Sequence, residues 1–255
     1  MLAIISDLHG NIEALENVMN DIRSKGIKDI ICLGDVVGYG PNPAECIDIA
    51  MNLKLTLRGN HEEAVIHEGV YGFNPLAQGA INWTRKELKP GTFSNKTRKA
   101  RWDFISNLPL TYNEGELLFV HGSPRDPVWE YILRYDTEVF FEEIPAKIKE
   151  IFSMISWLCF VGHSHDPGII TQESDFFTPK DVDYEFEVRP GRKYIINVGS
   201  VGQPRDGDNR ACYVTFDNTK LRYHRIAYDI KKIQEKVYAI PELDKRIGER
   251  LEYGR

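Results

Sequence analysis

Three short apolar runs open the chain, Leu2–Ile5, residues 29–33 and residues 53–57. They alternate with two stretches of helical spacing, and each stops abruptly in polar residues. Runs of four or five residues suit buried strands and are too short for confident helices. Between the first two, Ile12, Leu15, Val18, Met19 and Ile22 recur at helical spacing, with Asn11 as N-cap and Gly26 as C-terminal stop. Residues 44–51 read as a second helix. The order β-α-β-α-β predicts parallel strands joined by right-handed crossovers. In open α/β sheets, ligands bind beyond the carboxyl ends of the strands, so the residues at those ends carry the functional question.

The first run ends in Asp7-Leu8-His9-Gly10-Asn11. An Asp and a His two apart at a strand end should point to the same side, because side chains alternate with period two. Similar endings recur: Gly34-Asp35 after the second run, Gly59-Asn60-His61-Glu62 after the third, His121-Gly122 after residues 117–120, and Gly162-His163-Ser164-His165 after residues 158–161. Five of the seven histidines occupy such positions. One histidine at a strand end is usually structural; five, with two Asp and one Asn, point to a metal site. Imidazole and carboxylate without thiolate suit Mn²⁺, Fe or Zn²⁺, with Ni and Co also compatible. There are more donors than one ion needs. Two ions ~3.5–4 Å apart sharing a carboxylate would use them all.

The rest of the chain reads as scaffold. Residues 75–88 and 94–108 have helical spacing, and the insertion over about 63–108 carries Trp83, Arg85, Lys86, Lys96, Arg98, Lys99, Arg101 and Trp102. It is read as surface helices with solvated basic faces and inward tryptophans; the alternative is a cation-lined lid over an anionic substrate. Residues 137–156 are expected to be largely helical, with a break or a new helix start at Pro145. Five strands follow over 168–171, 184–188, 194–198, 211–216 and 221–227, with a hairpin turn at Asn218-Thr219. Two helices close the chain over about 230–252. No repeat or linker divides it, so residues 1–255 are expected to form a single domain.

Composition narrows the function classes. With 42% hydrophobic and 27% charged residues, the chain is an ordinary globular protein with ample core. A net charge of −6 argues against a general nucleic-acid or membrane-surface binder, since either rests on a basic field. It leaves room for a local phosphate pocket. Cys32, Cys46, Cys159 and Cys212 form no C-x-x-C pair; they are read as reduced packing residues of a cytoplasmic protein. No run approaches the ~18 apolar residues of a membrane span, and Asp7 and His9 interrupt any leader-like segment.

Taken in order, the five blocks from Asp7 to His165 resemble the signature of the calcineurin-like metallophosphoesterases. Asn197-Val198-Gly199-Ser200-Val201-Gly202-Gln203-Pro204-Arg205 resembles a later segment of the small bacterial and archaeal phosphodiesterase-like branch. The resemblance implies two packed mixed β-sheets flanked by helices, an αββα sandwich. It implies Asp7, His9 and His165 as ligands of one metal, Asn60, His121 and His163 as ligands of a second, and Asp35 as the bridging carboxylate. It implies hydrolysis of a phosphodiester or small phosphomonoester by a hydroxide bridging the two metals, with His61 as the acid at the leaving oxygen and Glu62 orienting it. Manganese is the expected metal. A small phosphorylated substrate is the expected partner; oligomeric state is left open, a homo-oligomer being one alternative because several members of that branch self-associate.

One departure narrows the reading. The Ser/Thr protein phosphatases, and the symmetrical dinucleoside tetraphosphatases that resemble them, carry Asp-Arg-Gly or Asn-Arg-Gly after the Gly-Asp block. Here the stretch is Val36-Val37-Gly38-Tyr39-Gly40-Pro41. Without that Arg, a protein phosphatase or dinucleoside polyphosphate hydrolase is the secondary reading, and a non-catalytic scaffold of the same fold the third. Other residues must then hold the phosphate. Arg125 and Arg205 are candidates because guanidinium binds phosphate bidentately, and Asn11 is a candidate at a helix N-terminus, where it also suits the N-cap. Tyr39 is read as a loop plug rather than a base-stacking platform.

Overall fold

The computed structural model describes residues 1–69, 72–139 and 143–255. It opens as β1 (Leu2–Ile5), α1 (Ile12–Ser24), β2 (Asp29–Cys32), α2 (Pro43–Ala50) and β3 (Leu55–Thr56), with β1 parallel to β2 and β2 parallel to β3. The third strand is shorter than its apolar run because the chain leaves the sheet early to begin α3 (Asn60–Ile66). Then come α4 (Pro75–Leu88), α5 (Lys96–Ser106), β4 (Thr111–Glu114) and β5 (Leu117–Val120). After a 3₁₀ turn at Arg134–Thr137 the chain forms α6 (Ala146–Ser153), β6 (Leu158–Val161), β7 (Gly168–Thr171), β8 (Phe176–Phe177), β9 (Glu185–Glu187) and β10 (Tyr194–Asn197). It closes with β11 (Ala211–Phe216), β12 (Lys220–Ile226), α7 (Ile230–Tyr238), α8 (Arg246–Glu249) and a 3₁₀ turn at Arg250–Glu252.

The strands make two mixed six-stranded sheets, in the orders β3-β2-β1-β11-β12-β9 and β4-β5-β6-β10-β7-β8. Alternation along each central strand builds the layers. Ala3 and Ile5 of β1 face α1 and α2, while Ile4 faces the other sheet. Leu158 and Phe160 of β6 face the first sheet, while Cys159 and Val161 pack against Ile148 and Ile151 of α6. Both faces are buried, which is why these strands read as unbroken apolar runs. The result is the αββα sandwich that the family resemblance implies.

Two expectations need correction. Residues 137–156 are not largely helical: a helix does start anew behind Pro145, which supplies no backbone N–H, but it covers only Ala146–Ser153. Part of that stretch, 140–142, lies outside the described residues, as do 70 and 71 of the expected insertion. The final helix, expected to run to Glu252, is one turn of α8 followed by the 3₁₀ turn. The Asn218-Thr219 turn does form, joining β11 to β12 antiparallel, with Asn218 at φ +76°.

The basic side chains of the 63–108 insertion have structural work. Arg85 donates to the Ala64, Val65 and His67 carbonyls at the end of α3, and Arg98 to the Lys86 and Leu88 carbonyls at the end of α4. Arg101 pairs with Asp48, and Trp83 is buried. Cations near helix C-termini satisfy carbonyls and complement the dipole. Trp83, Ala77 and Ala80 of α4 pack with Val237 of α7, Ile247 of α8 and Leu243 between them around Tyr39. This junction stands at the edge of the site.

Candidate metal centre

The loops that follow β1, β2, β6 and β10 meet at one end of the sandwich. Asp7, His9, Asp35, Tyr39, His163 and His165 all have left-handed backbone, at φ +54°, +46°, +50°, +55°, +65° and +60°. Each such residue costs of order 1–3 kcal/mol unless its surroundings hold it there. They are held by main-chain bonds between loops: Asp7 N to Gly34 O (3.0 Å), His9 N to Asp35 O (2.9 Å), Gly202 N to Asp7 O (2.8 Å) and Arg205 N to His165 O (3.2 Å). This also corrects the sequence argument for Asp7 and His9. Strand β1 ends at Ile5, so left-handed turns, not strand alternation, bring the two side chains together.

Each carboxylate has one oxygen committed and one free. Asp7 Oδ2 accepts from His163 N (3.1 Å), while buried Asp7 Oδ1 has no hydrogen-bond partner and lies 3.1 Å from His165 Nε2. Asp35 Oδ1 accepts from His61 N (2.8 Å), while Oδ2 stands 3.7 Å from His9 Nε2 and 3.4 Å from His121 Nε2. The tautomers follow from the other ring nitrogens. His9 Nδ1 faces the Val37 carbonyl (3.1 Å) and His165 Nδ1 the Gln203 carbonyl (2.6 Å), and a carbonyl only accepts. Both rings therefore donate from Nδ1 and turn lone pairs toward each other, with Nε2 to Nε2 at 3.0 Å. That contact is repulsive unless a cation lies between them. On the other side, His163 donates from Nε2 to Trp129 O (3.3 Å), which leaves its Nδ1 lone pair 3.2 Å from His121 Nε2, itself 3.1 Å from Asn60 Oδ1.

Two groups of donors result, Asp7, His9 and His165 on one side and Asp35, His121 and His163 with Asn60 on the other. Asp35 Oδ2 lies between them, and a third grouping places His61 near His9 and Asp35. The residues fit divalent cations. Burial opposes ionisation of both carboxyls, yet His165 beside Asp7, and His121 and His61 beside Asp35, hold them well below the ordinary carboxylate range. Burial lowers His61 to about 4 and His163 to about 3, so both rings are neutral. His121 alone is pushed up, to about 9, where the Asp35 carboxylate outweighs burial. A cation among these donors would take over the role of that proton.

The supports are as ordered as the donors. Glu62 Oε2 accepts from Asp35 N and Gly59 N, each at 2.8 Å, and Oε1 from Val37 N (3.0 Å). It positions the Asp35 loop rather than the His61 ring. Asn197 Nδ2 donates to Gly162 O (2.9 Å) and Ser164 Oγ (2.8 Å), and Ser200 Oγ donates to Asp7 O (2.9 Å), so the segment 197–205 braces the loops of Asp7, His163 and His165.

His61 is hemmed by Tyr39 (4.7 Å between ring centroids), His9 (4.8 Å) and Phe73 (5.2 Å). It lines a cavity of about 150 Å³ with Asp35, Asn60, His163, Arg205 and Arg250. Phe73, which packs edge-on to Trp129 at 5.9 Å, and Tyr131, which stacks on His163 at 3.6 Å, add aromatic walls. A larger groove of about 930 Å³ runs near β7, β8 and β9; Glu173 and Arg192 pair with each other there, and among the described residues it holds no metal-donor cluster.

Of the phosphate-binding candidates, only Arg205 lines the cavity. Arg125 is committed to Glu130 (2.7 Å) and Glu150 (2.5 Å), and Asn11 caps α1 through Ala14 N (3.1 Å) while donating to Gly202 O (2.9 Å). Tyr39 is buried against His9 and His61. Sequence reasoning missed Arg250, Phe73, Trp129 and Tyr131. No local motif marks them, because only the docking of distant segments brings them to the site.

Comparison with known proteins agrees with this geometry. The sequence model described as calcineurin-like phosphoesterase matches residues 1–198. An uncharacterized protein of Methanocaldococcus jannaschii is 40% identical, covering 100% of this chain and 98% of its own length. The crystal structure of a metallophosphoesterase from Sphaerobacter thermophilus superposes with a TM-score of 0.79 at 33% identity, covering 100% of this chain and 99% of that one. A hypothetical protein of Pyrococcus horikoshii OT3 shares the fold, with a TM-score of 0.72 at 19% identity and the same coverage.

Proposed function

This chain belongs to the calcineurin-like phosphoesterase family, and on that premise we propose that it hydrolyses a phosphodiester or a small phosphomonoester with two divalent metal ions. The observation that carries the reading is the pair of opposed lone pairs on His9 and His165, 3.0 Å apart beside the unpartnered Asp7 Oδ1. Asp7, His9 and His165 would hold one ion, Asn60, His121 and His163 the other, and Asp35 both. Imidazole, carboxylate and amide oxygen without thiolate suit manganese first, with Fe, Zn, Ni and Co as alternatives. When bound, the ions supply Lewis acidity, lowering the pKa of water and neutralising charge on the phosphate.

The chain's own residues do the rest. His61 presents its imidazole to the cavity and stabilises the leaving oxygen, as an imidazolium that protonates it or as a neutral ring that donates an N–H hydrogen bond; such catalysis is typically worth ~10²–10⁴ in rate. Arg205 binds the substrate from the cavity wall. Phe73, Trp129 and Tyr131 shield the cavity from water. Among the described residues no helix is long and apolar enough to cross a membrane, and four buried free cysteines suit a cytoplasmic setting.

The test is hydrolysis of p-nitrophenyl phosphate and bis-p-nitrophenyl phosphate after metal loading, for wild type and His61→Ala. Turnover with one or both compounds is expected, reduced ~10²–10⁴-fold in the variant at unchanged metal content. No turnover with any of the five metals would refute the reading.

A further inference from the structure

Arg205 and Arg250 stand over the same ring, each guanidinium 5.9 Å from the centroid of Tyr39. They come from opposite parts of the chain, Arg205 from the loop that braces Asp7 and Arg250 from the last turn, where α7 and α8 dock on α4. Both line the cavity that holds His61, Asp35 and His165. Arg205 Nη2 donates to Gln203 Oε1 (3.0 Å), and its buried Nε has no partner. Arg250 Nε donates to the main-chain oxygen of Arg255 (2.5 Å). Neither guanidinium forms an ion pair with a side-chain carboxylate of the described residues, whereas eight of the sixteen arginines do. Burial and the neighbouring Arg205 charge pull Arg250 below its ordinary value.

Two guanidinium groups converging on one cavity, neither matched by a side-chain carboxylate, make a favourable place for an anion. The scissile phosphate does not fill that place by itself. Two divalent ions set against Asp7 and Asp35 already carry enough positive charge to match a phosphate dianion. The arginines are charge in excess of it, and they lie one side chain beyond His9 and His61.

We propose that Arg250, together with Arg205, forms a second anion subsite beside the metal-binding cluster, and that the substrate is a small phosphate ester or anhydride with a second phosphate group next to the scissile one. The proposal rests on the phosphoesterase reading above and specifies its substrate class. Arg supplies planar, paired N–H donors for phosphate oxygens. The cavity, about 150 Å³, is well below the roughly 300–1,000 Å³ of pockets that enclose drug-sized ligands, so it suits a compact headgroup.

The experiment is isothermal titration calorimetry of metal-loaded protein with methylphosphonate and with methylenediphosphonate, each corrected by titration into the same metal buffer. Wild type is expected to bind the diphosphonate at least ten-fold more tightly. Arg250→Met should cut that preference to under three-fold, lowering diphosphonate affinity far more than methylphosphonate affinity, and Arg250→Lys should restore part of it. Should Arg250→Met melt early, Arg205→Met tests the same subsite from the bracing loop and should lose the preference likewise. A wild-type preference under three-fold, or one that survives in the folded variants, overturns the subsite while leaving the phosphoesterase reading intact. Failure of wild type to bind methylphosphonate at all overturns that reading, and the subsite with it.

Discussion

Gly38 offers the sharpest test of how the backbone serves the chemistry. A Cβ added there would sit 2.0 Å from His61 Nδ1 and 2.7 Å from its Cγ, at a φ of +88°. Tyr39, His9 and Phe73 surround the ring at centroid distances of 4.7, 4.8 and 5.2 Å, so it can yield only by moving into the cavity it lines. Gly38→Ala must therefore displace His61 by roughly 1 Å, a misplacement that can cost about 10²-fold in rate. The left-handed backbone adds about 1–2 kcal/mol of strain, or roughly 2–8 °C in melting temperature for a protein this size. Gly26→Ala is the matched control: its φ is +70° and nothing lies within 4 Å of the added carbon. Both variants should lose similar stability in a thermal melt followed by circular dichroism. Only Gly38→Ala should lose about 10²-fold in kcat on p-nitrophenyl phosphate, with metal content unchanged by plasma emission spectrometry. A folded Gly38→Ala protein with kcat within three-fold of wild type would refute the assignment of His61 to the chemistry.

Other outcomes follow from the same geometry. His9→Ala should reduce bound metal from two equivalents to one in elemental analysis and leave the far-ultraviolet spectrum unchanged; retention of two would remove His9 from the ligand set. Adding metal at about 100 times its dissociation constant to chelator-stripped protein should stabilise it by about 2.7 kcal/mol for each ion held, about 5.4 kcal/mol for two, raising the melting temperature by roughly 11–22 °C. No shift would mean that the facing histidines need no cation. Phe160→Ala should cost about 3–5 kcal/mol in urea denaturation, because Phe160 is fully buried between the sheets and stacks on Phe119 at 5.1 Å. A loss below 1 kcal/mol would contradict the two-sheet core.

The donor blocks were legible because each is short and sits where an apolar run ends. Ile4 and Ile5, or Phe160 and Val161, announce a strand by being apolar on both faces, and the polar residues that follow stand out against them. How the side chains converge was not legible. The left-handed turns at Asp7 and His9 depend on bonds to Gly34, Asp35 and Gly202, far away in sequence. Strand β4 escaped notice because Thr111, Asn113 and Glu114 are exposed and show no apolar run. Arg125 looked available from its place after His121, but Glu130 and Glu150 occupy it. Arg250 carried no local signal, since its position follows from the packing of Val237, Leu243 and Ile247 on α4.

The most direct test of the account is turnover of p-nitrophenyl phosphate measured against equivalents of metal bound, starting from chelator-stripped protein. Activity should stay low through the first equivalent, rise with the second and level off at two. Full activity at one equivalent, or none at two, would contradict a two-metal phosphoesterase centred on Asp35.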